Sequence, residues 1–298
     1  MRAVRIASAV AASALLVGAL AACGSSAKKS TDVLPTAVAS AAGAGAGGGA
    51  AGSLGPKADL LAAAAVMQKA GSAKLAVSSA GGKADEGTGL YSWGGAQPAM
   101  DISEQQSGQA MKVRMVGGVM YLGVSDQQAA AVGGKHWIKL DGTGPAGSMT
   151  ANFQALAMMV NPAVQLTAAA QGGKLSKVGS ESLDGASTEH YQSVMPTATM
   201  VASVPNLSDA DRKTVLTALT QEGSTITSDF WLNGQHQLVQ QKEVGTNDAS
   251  AAPSADQSTA TTTKYSDFGV KVTVTAPPAS DQVAPADQLK LLGVMMGG

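Results

Sequence analysis

The chain is poor in the residues that carry most catalytic chemistry. It has one cysteine, three histidines and only 3% Phe, Trp and Tyr in 298 residues. One thiol excludes an internal disulfide, so the folded part must be stable without one. His136, His190 and His236 lie far apart, each in or beside a strand-like segment, and none has a neighbour at metal-ligand spacing. No metal or other cofactor is expected. No G-x-S-x-G, H-E-x-x-H or phosphate-loop motif occurs. A triad is recognised by geometry rather than sequence order, so missing motifs alone leave an enzyme open. Asp101 with Glu104, and Asp209 with Asp211, read as a solvated face and a helix N-terminus. Charged residues make up 14% of the chain, and no basic cluster stands out. That weighs against nucleic acid as a partner.

The N-terminus is more informative. Arg2 and Arg5 precede an uncharged run from Ile6 to Ala22, followed directly by Cys23. A basic end, a short apolar core and small residues at a cleavage point form a secretory signal, expected over residues 1–22. The run is too rich in Ala and Ser for a spanning helix. Leu20, Ala21, Ala22 and Cys23 match the lipobox of bacterial lipoproteins. By that resemblance Cys23 is lipidated and the signal is cut before it. The competing reading is a plain secretory signal with a chance cysteine. Against it, the sole cysteine occupies the one position the motif requires. Two or three acyl chains, at about 0.8 kcal/mol per buried CH₂, anchor stably where one binds marginally. The expected location is the outer face of the plasma membrane, facing the cell wall. Losing Arg2 and Arg5 takes the formal charge from −1 to −3.

Residues 23–56 follow as Gly, Ala and Ser with almost nothing large. Such a stretch cannot offset its ordering entropy and reads as a flexible tether. Its root-mean-square reach is about 30 Å. From Lys57 on, the chain is long enough for one good core. "KADLLAAAAVMQKAG" predicts a helix with Leu60, Leu61, Ala64, Ala65 and Gln68 on one face and Gly71 as its stop. Gly-punctuated strands follow. "AMKVRMV" sets Met111, Val113 and Met115 on one face, and Gly117-Gly118 marks a hairpin turn. "KHWIKL" alternates His136, Ile138 and Leu140 against Trp137 and Lys139. A helix is predicted around Phe153, Leu156, Ala157 and Val160. A second starts at Asn161 with Pro162 at its first position and closes at Gly172-Gly173. A third is signalled by Ser208 and Asp211 at capping-box spacing, with Val215, Leu216 and Leu219 as its face and Gly223 as its end. Strands follow around Phe230 and Leu232, turning at Asn233-Gly234. "NDASAAPSADQS" reads as a long hairpin loop. A last strand carries Val270, Val272 and Val274 on one face. A meandering antiparallel sheet with a few helices gathered on one face fits this order.

The phrases "GGVMYLGV", "GGKHWIKLD", "STEHYQSVM", "SDFWLNGQHQLVQQKEV" and "KYSDFGVKVTVTAPPASDQV" resemble the LppX/LprAFG group of actinobacterial lipoproteins and, more distantly, LolA-like lipid carriers. The likeness covers residues 57–283. It implies an α+β fold: a large curved antiparallel sheet, a half-barrel, with a few helices on its concave face. It also implies an apolar cavity that holds the acyl chains of a lipid or glycolipid, with transport to the envelope as a further expectation. An apolar tail, residues 284–298, falls outside the group's pattern; it either caps the cavity mouth or packs on the sheet.

Methionine is frequent where aromatics are few, and its flexible side chain suits ligands of varied shape. An ordinary core in a Met-biased sequence explains the same composition. The expected cavity lining is Met111, Val113, Met115, Phe153, Leu156, Met159, Val160, Phe230 and Leu232. The first reading is a monomeric, non-enzymatic, membrane-anchored lipid binder. The second is a protein-binding or scaffolding lipoprotein with a solid core and an exposed apolar patch. The third, a cell-wall hydrolase, needs His and carboxylates to converge in a cleft, whereas alternation puts His136 and His190 on apolar strand faces.

Overall fold

The computed structural model describes residues 55–79, 86–95, 97–106, 109–140, 160–204, 207–247, 260–288 and 291. Signal, lipobox, the tether through residue 54, the 153–159 stretch, most of the 247–258 loop and the last seven residues lie outside the described residues.

The chain opens with α1 (Pro56–Ala70). Six strands follow: β1 (Ser72–Ser79), β2 (Glu86–Ser92), β3 (Ala99–Gln106), β4 (Gln109–Val116), β5 (Val119–Gly123) and β6 (Trp137–Leu140). A short helix, α2 (Asp126–Ala130), sits between β5 and β6. Then come α3 (Pro162–Gly172), β7 (Lys174–Leu183), β8 (Ala186–Pro196), α4 (Thr197–Ser203) and α5 (Asp209–Glu222). The strands β9 (Thr225–Leu232), β10 (Leu238–Thr246) and β11 (Thr261–Ser266) complete the sheet. Its order is β6-β5-β4-β3-β2-β1-β11-β10-β9-β8-β7, antiparallel throughout and open. Two meanders, β1–β6 and β7–β11, are thus joined where β1 pairs with β11. The result is an α+β open half-barrel.

Local chemistry explains most element ends. Gly71 caps α1 in the left-handed region at φ 69°, where a Cβ is costly. Asn161 caps α3, its side-chain oxygen accepting from Ala163 N–H at 2.9 Å, with Pro162 where a missing N–H costs nothing. Ser208 accepts from Asp211 N–H at the start of α5. Gly117 and Gly118 both take positive φ, as a two-residue hairpin between β4 and β5 requires.

Four expectations change. The buried face of α1 is Leu60, Ala63, Ala64 and Met67, while Ala65 and Gln68 are exposed. Spacing of three, four and seven centres the stripe on the largest side chains. The β9–β10 connection is a five-residue loop: Asn233 N–H donates to the Gln237 carbonyl, and Asn233 Oδ1 accepts from the N–H groups of Gln235 and Gln237. The asparagine side chain organises the loop, and the left-handed residue is His236 at φ 55°, not Gly234. The two short helices α2 and α4 were not foreseen. α2 is set by a capping box between Ser125 and Gln128, too brief for a periodic signal. Finally, residues 270–278 join no ladder. Asp267 and Gly269, at φ 50° and 76°, turn the chain off β11. It then runs extended, with Ser72 Oγ donating to the Val270 carbonyl at 2.7 Å and Arg114 Nη1 to the Thr275 carbonyl at 3.0 Å. Val270, Val272 and Val274 are half-buried and alternate as predicted. The apolar rhythm is that of extended backbone, but this strap crosses strands rather than lying beside one. It ends at a parallel bridge between Gln282 and Trp137, which covers the β6 edge.

Helices α1 and α3 pack together and over β7 and β8. The face they cover carries the core, and register arranges it in rungs of directly opposed residues. One rung reads Ala73, Tyr91, Met100, Met115, Met120 and Leu140. The next reads Tyr265, Leu75, Gly89, Ile102, Val113, Leu122 and Ile138. Apart from Gly89 every member is buried. Each large apolar side chain so removed from water contributes about 1.5–3 kcal/mol. Val283 and Leu291 bury into the same cluster, so the C-terminal segment packs on the core.

Candidate functional site

Val113, Met115, Phe230 and Leu232 are all buried on the concave face, and Met111 and Val160 pack half-buried against the same cluster. Phe153, Leu156 and Met159 lie outside the described residues. The five strand members therefore share one face, and Val160, just before α3, packs against the same cluster. They come from both meanders, Met111, Val113 and Met115 from β4 and Phe230 and Leu232 from β9. Met100 and Met120, which flank Met115 across β3 and β5, belong to the same surface. Their alternation was visible in the sequence; their pairing to Met115 needed the register.

The concave face is not uniformly apolar. Two rungs from the Leu75 row, Ser193, Ser228, Glu243, Thr261 and Ser79 stand opposite one another across five strands. Between lies a mixed rung of Tyr191, Phe230, Gln241, Thr263 and Val77. Gln241 Nε2 donates to Gln165 of α3. The Tyr191 hydroxyl donates to Asp59 of α1 at 2.8 Å. These two bonds tie the helices to the sheet through buried polar groups, which must be paired inside the protein. Burial, and then the hydrogen bond to Asp59, push the Tyr191 phenol well above its ordinary value. Burial also pushes the Glu243 carboxyl up, against hydrogen bonds from Ser228 and Gln241.

A different cluster occupies the convex face. His190 presents Nδ1 to Glu181 at 2.5 Å and Nε2 to Asp229 at 2.8 Å, and stacks on Trp231 at 4.3 Å between centroids. Trp231 Nε1 donates to the other Glu181 oxygen, and Gln192 to Asp229. His190 therefore lies opposite the apolar face on β8, contrary to expectation, because Tyr191 is the residue that points inward. Only the register of β7, β8 and β9 brings these groups together. Burial lowers the His190 pKa, but its hydrogen bonds to Asp229 and Glu181 outweigh that and raise the value overall. Hydrogen bonds from Trp231 and His190 hold Glu181 below the usual carboxylate range. With both nitrogens held by carboxylates, the ring has no free position to take a proton from a substrate, as a general base must. The trio is an ion network rather than a catalytic centre, and among the described residues no His, Cys, Asp and Glu group forms a metal-donor set. His136 is tied to Asp281 at 2.9 Å, on the strap.

Comparison with known proteins gives a consistent but distant picture. The chain is 29% identical over 181 residues to an uncharacterised 31.2 kDa protein of Streptomyces griseus, and 30% identical over 178 residues to a Streptomyces coelicolor protein named as a lipoprotein. These alignments cover 59% and 58% of this chain, and span 57% and 50% of those relatives. Among solved structures it is similar to LprF of Mycobacterium bovis, at 12% identity and a TM-score of 0.45 over 75% of this chain and 97% of that one. It is similar also to LppX of Mycobacterium tuberculosis, at 17% identity and a TM-score of 0.42 over 72% and 98%. No family model matches the chain.

Proposed function

We propose that this is a non-enzymatic, cell-surface lipoprotein that binds the acyl chains of a lipid or glycolipid against the concave face of its sheet. The observation that carries the reading is the apolar, Met-rich surface of β1–β6, gathered on the helix-covered side of an open half-barrel. Long flexible side chains there adapt to chains of varied length, and burying acyl carbon supplies the driving force without chemistry on the ligand. The lining is Met111, Val113, Met115, Phe153, Leu156, Met159, Val160, Phe230 and Leu232. Cys23, lipidated, anchors the domain to the outer face of the plasma membrane, in keeping with the lipoprotein name of the Streptomyces coelicolor relative. The protein works as a monomer and carries its ligand toward the envelope. A scaffolding role calls for an exposed apolar patch, yet among the described residues Val178 is the one large apolar side chain that is exposed.

Val113→Trp tests the site. The added ring volume belongs where an acyl chain would lie, so displacement of a fluorescent fatty acid should weaken about tenfold, with the chain still folded by circular dichroism. Unchanged affinity in a folded Val113→Trp protein would remove this face as the binding surface.

A further inference from the structure

The polar rung of the concave face has no role in an acyl-binding surface as such. Burying polar groups costs free energy unless they are paired, and here the pairing is incomplete. Ser228 Oγ donates to Glu243 Oε1 at 3.3 Å. Gln241 bonds Gln165 and accepts from the Tyr265 hydroxyl at 3.5 Å. Thr261 stands directly opposite Glu243 on β11, is 6% exposed, and its Oγ1 has no partner among the described residues. Ser193 Oγ, at the far end of the rung, is likewise unpartnered, but it is packed against Gly173 where α3 ends. Thr261 thus offers an idle hydroxyl beside a carboxyl. Glu243 is a half-buried residue whose carboxyl is pushed up by burial.

The position is as telling as the pairing. Thr261 is the first residue of β11 and Ser79, opposite it, the last of β1. On β1 and β11 the rung closes the ladder, on β8–β10 one further concave rung of Met195, Ile226 and Gly245 lies beyond it, and the apolar rungs of Leu75 and Ala73 lie on its other side. An amphiphile with its acyl chains on those apolar rungs would bring its polar portion to Glu243 and Thr261.

We infer that Glu243, Thr261, Ser228 and Gln241 form a recognition site for an uncharged, hydroxyl-bearing group on the bound lipid. The inference rests on the acyl-binding reading above. The chemistry follows from the donor and acceptor set: Thr261 gives and accepts one hydrogen bond, Glu243 accepts from a hydroxyl or, protonated, donates to it, and Gln241 orients the carboxyl. No cationic side chain stands in this rung, so a phosphate has no partner beside the carboxyl. The hydroxyl belongs to a sugar headgroup or to a hydroxylated acyl chain, and the two are separable by experiment.

The test uses the full chain carrying Cys23→Ser, so that no anchor lipid contributes. Affinities are measured for four probes: monoglucosyl dioleoylglycerol, dioleoylglycerol, 12-hydroxystearic acid and stearic acid. The site predicts that one hydroxylated probe binds about tenfold tighter than its unhydroxylated partner, the worth of one or two hydrogen bonds. A preference confined to the glucosyl pair assigns the sugar; one confined to the stearic pair assigns the acyl hydroxyl. Glu243→Leu and, independently, Thr261→Val should each erase most of that preference and leave binding of the unhydroxylated probe within about twofold. Thr261→Val removes an oxygen with no partner among the described residues, so its folding should be little changed, and it serves if Glu243→Leu does not fold. Equal binding within both pairs overturns the hydroxyl site and spares acyl binding. Failure to take up any of the four probes overturns both.

Discussion

At the residue scale, the convex ion network makes the sharpest prediction. His190 has a raised pKa in the folded chain. Its stabilising contribution is therefore complete below its ordinary value of about 6.5 and is lost as pH rises through the raised one. Glu181, held low, contributes above the ordinary carboxylate range and loses that as pH falls through its depressed value. Chemical denaturation across pH 5–9 should show stability declining above pH about 6.5. His190→Gln should flatten that decline and cost about 3 kcal/mol at pH 6, where it strips a buried carboxylate of its partner. An unchanged slope would mean the network holds no proton that folding binds. None of this was legible beforehand. Glu181, His190 and Asp229 are separated by 9 and 39 residues, and only strand register joins them. Alternation around His190 even pointed to the wrong face, since Tyr191 and its neighbours are amphipathic enough to read either way.

At the element scale, caps and turns were the legible features. Asn161-Pro162, Ser208, Gly71 and Gly117-Gly118 each act through one or two side chains next to the backbone they satisfy, so a short window holds all the physics. The strap after β11 shows the limit of such reading. Its alternating valines report a half-buried extended chain faithfully, but whether that chain is paired depends on distant strands. Gly89 shows the same limit from the other side. It sits inside β2 as an apparent weak point, yet a Cβ there would lie 2.2 Å from the Asp101 carbonyl oxygen and 2.6 Å from Ile102 Cα. The glycine lets β2 and β3 approach closely beneath the core. Gly89→Ala should cost about 3 kcal/mol by forced overpacking, read as a fall in thermal midpoint; a midpoint within a degree of the parent's would show that the strands can part freely.

At the scale of the whole molecule, the sequence carried the fold class because binary patterning and turn chemistry agree along most of the chain. Two meanders were visible. That they join edge to edge through β1 and β11 into one open sheet was not, because that pairing spans 192 residues (Lys74 opposite Ser266). The same juncture builds the polar rung, whose members come from β8, β9, β10, β11 and β1. Met111, Val113, Met115, Phe230 and Leu232 could be read from the sequence as apolar positions in phase with their own strands, and the structure puts them on one face; Glu243 and Thr261 could not, because each alone reads as an ordinary polar strand residue. The central claim is that this sheet holds a lipid. Native mass spectrometry of the full chain carrying Cys23→Ser, followed by organic extraction, tests it most directly. The account predicts a bound mass that is removed by the solvent and recovered as lipid. A bare protein mass that stays bare after incubation with phospholipid and glycolipid would contradict it.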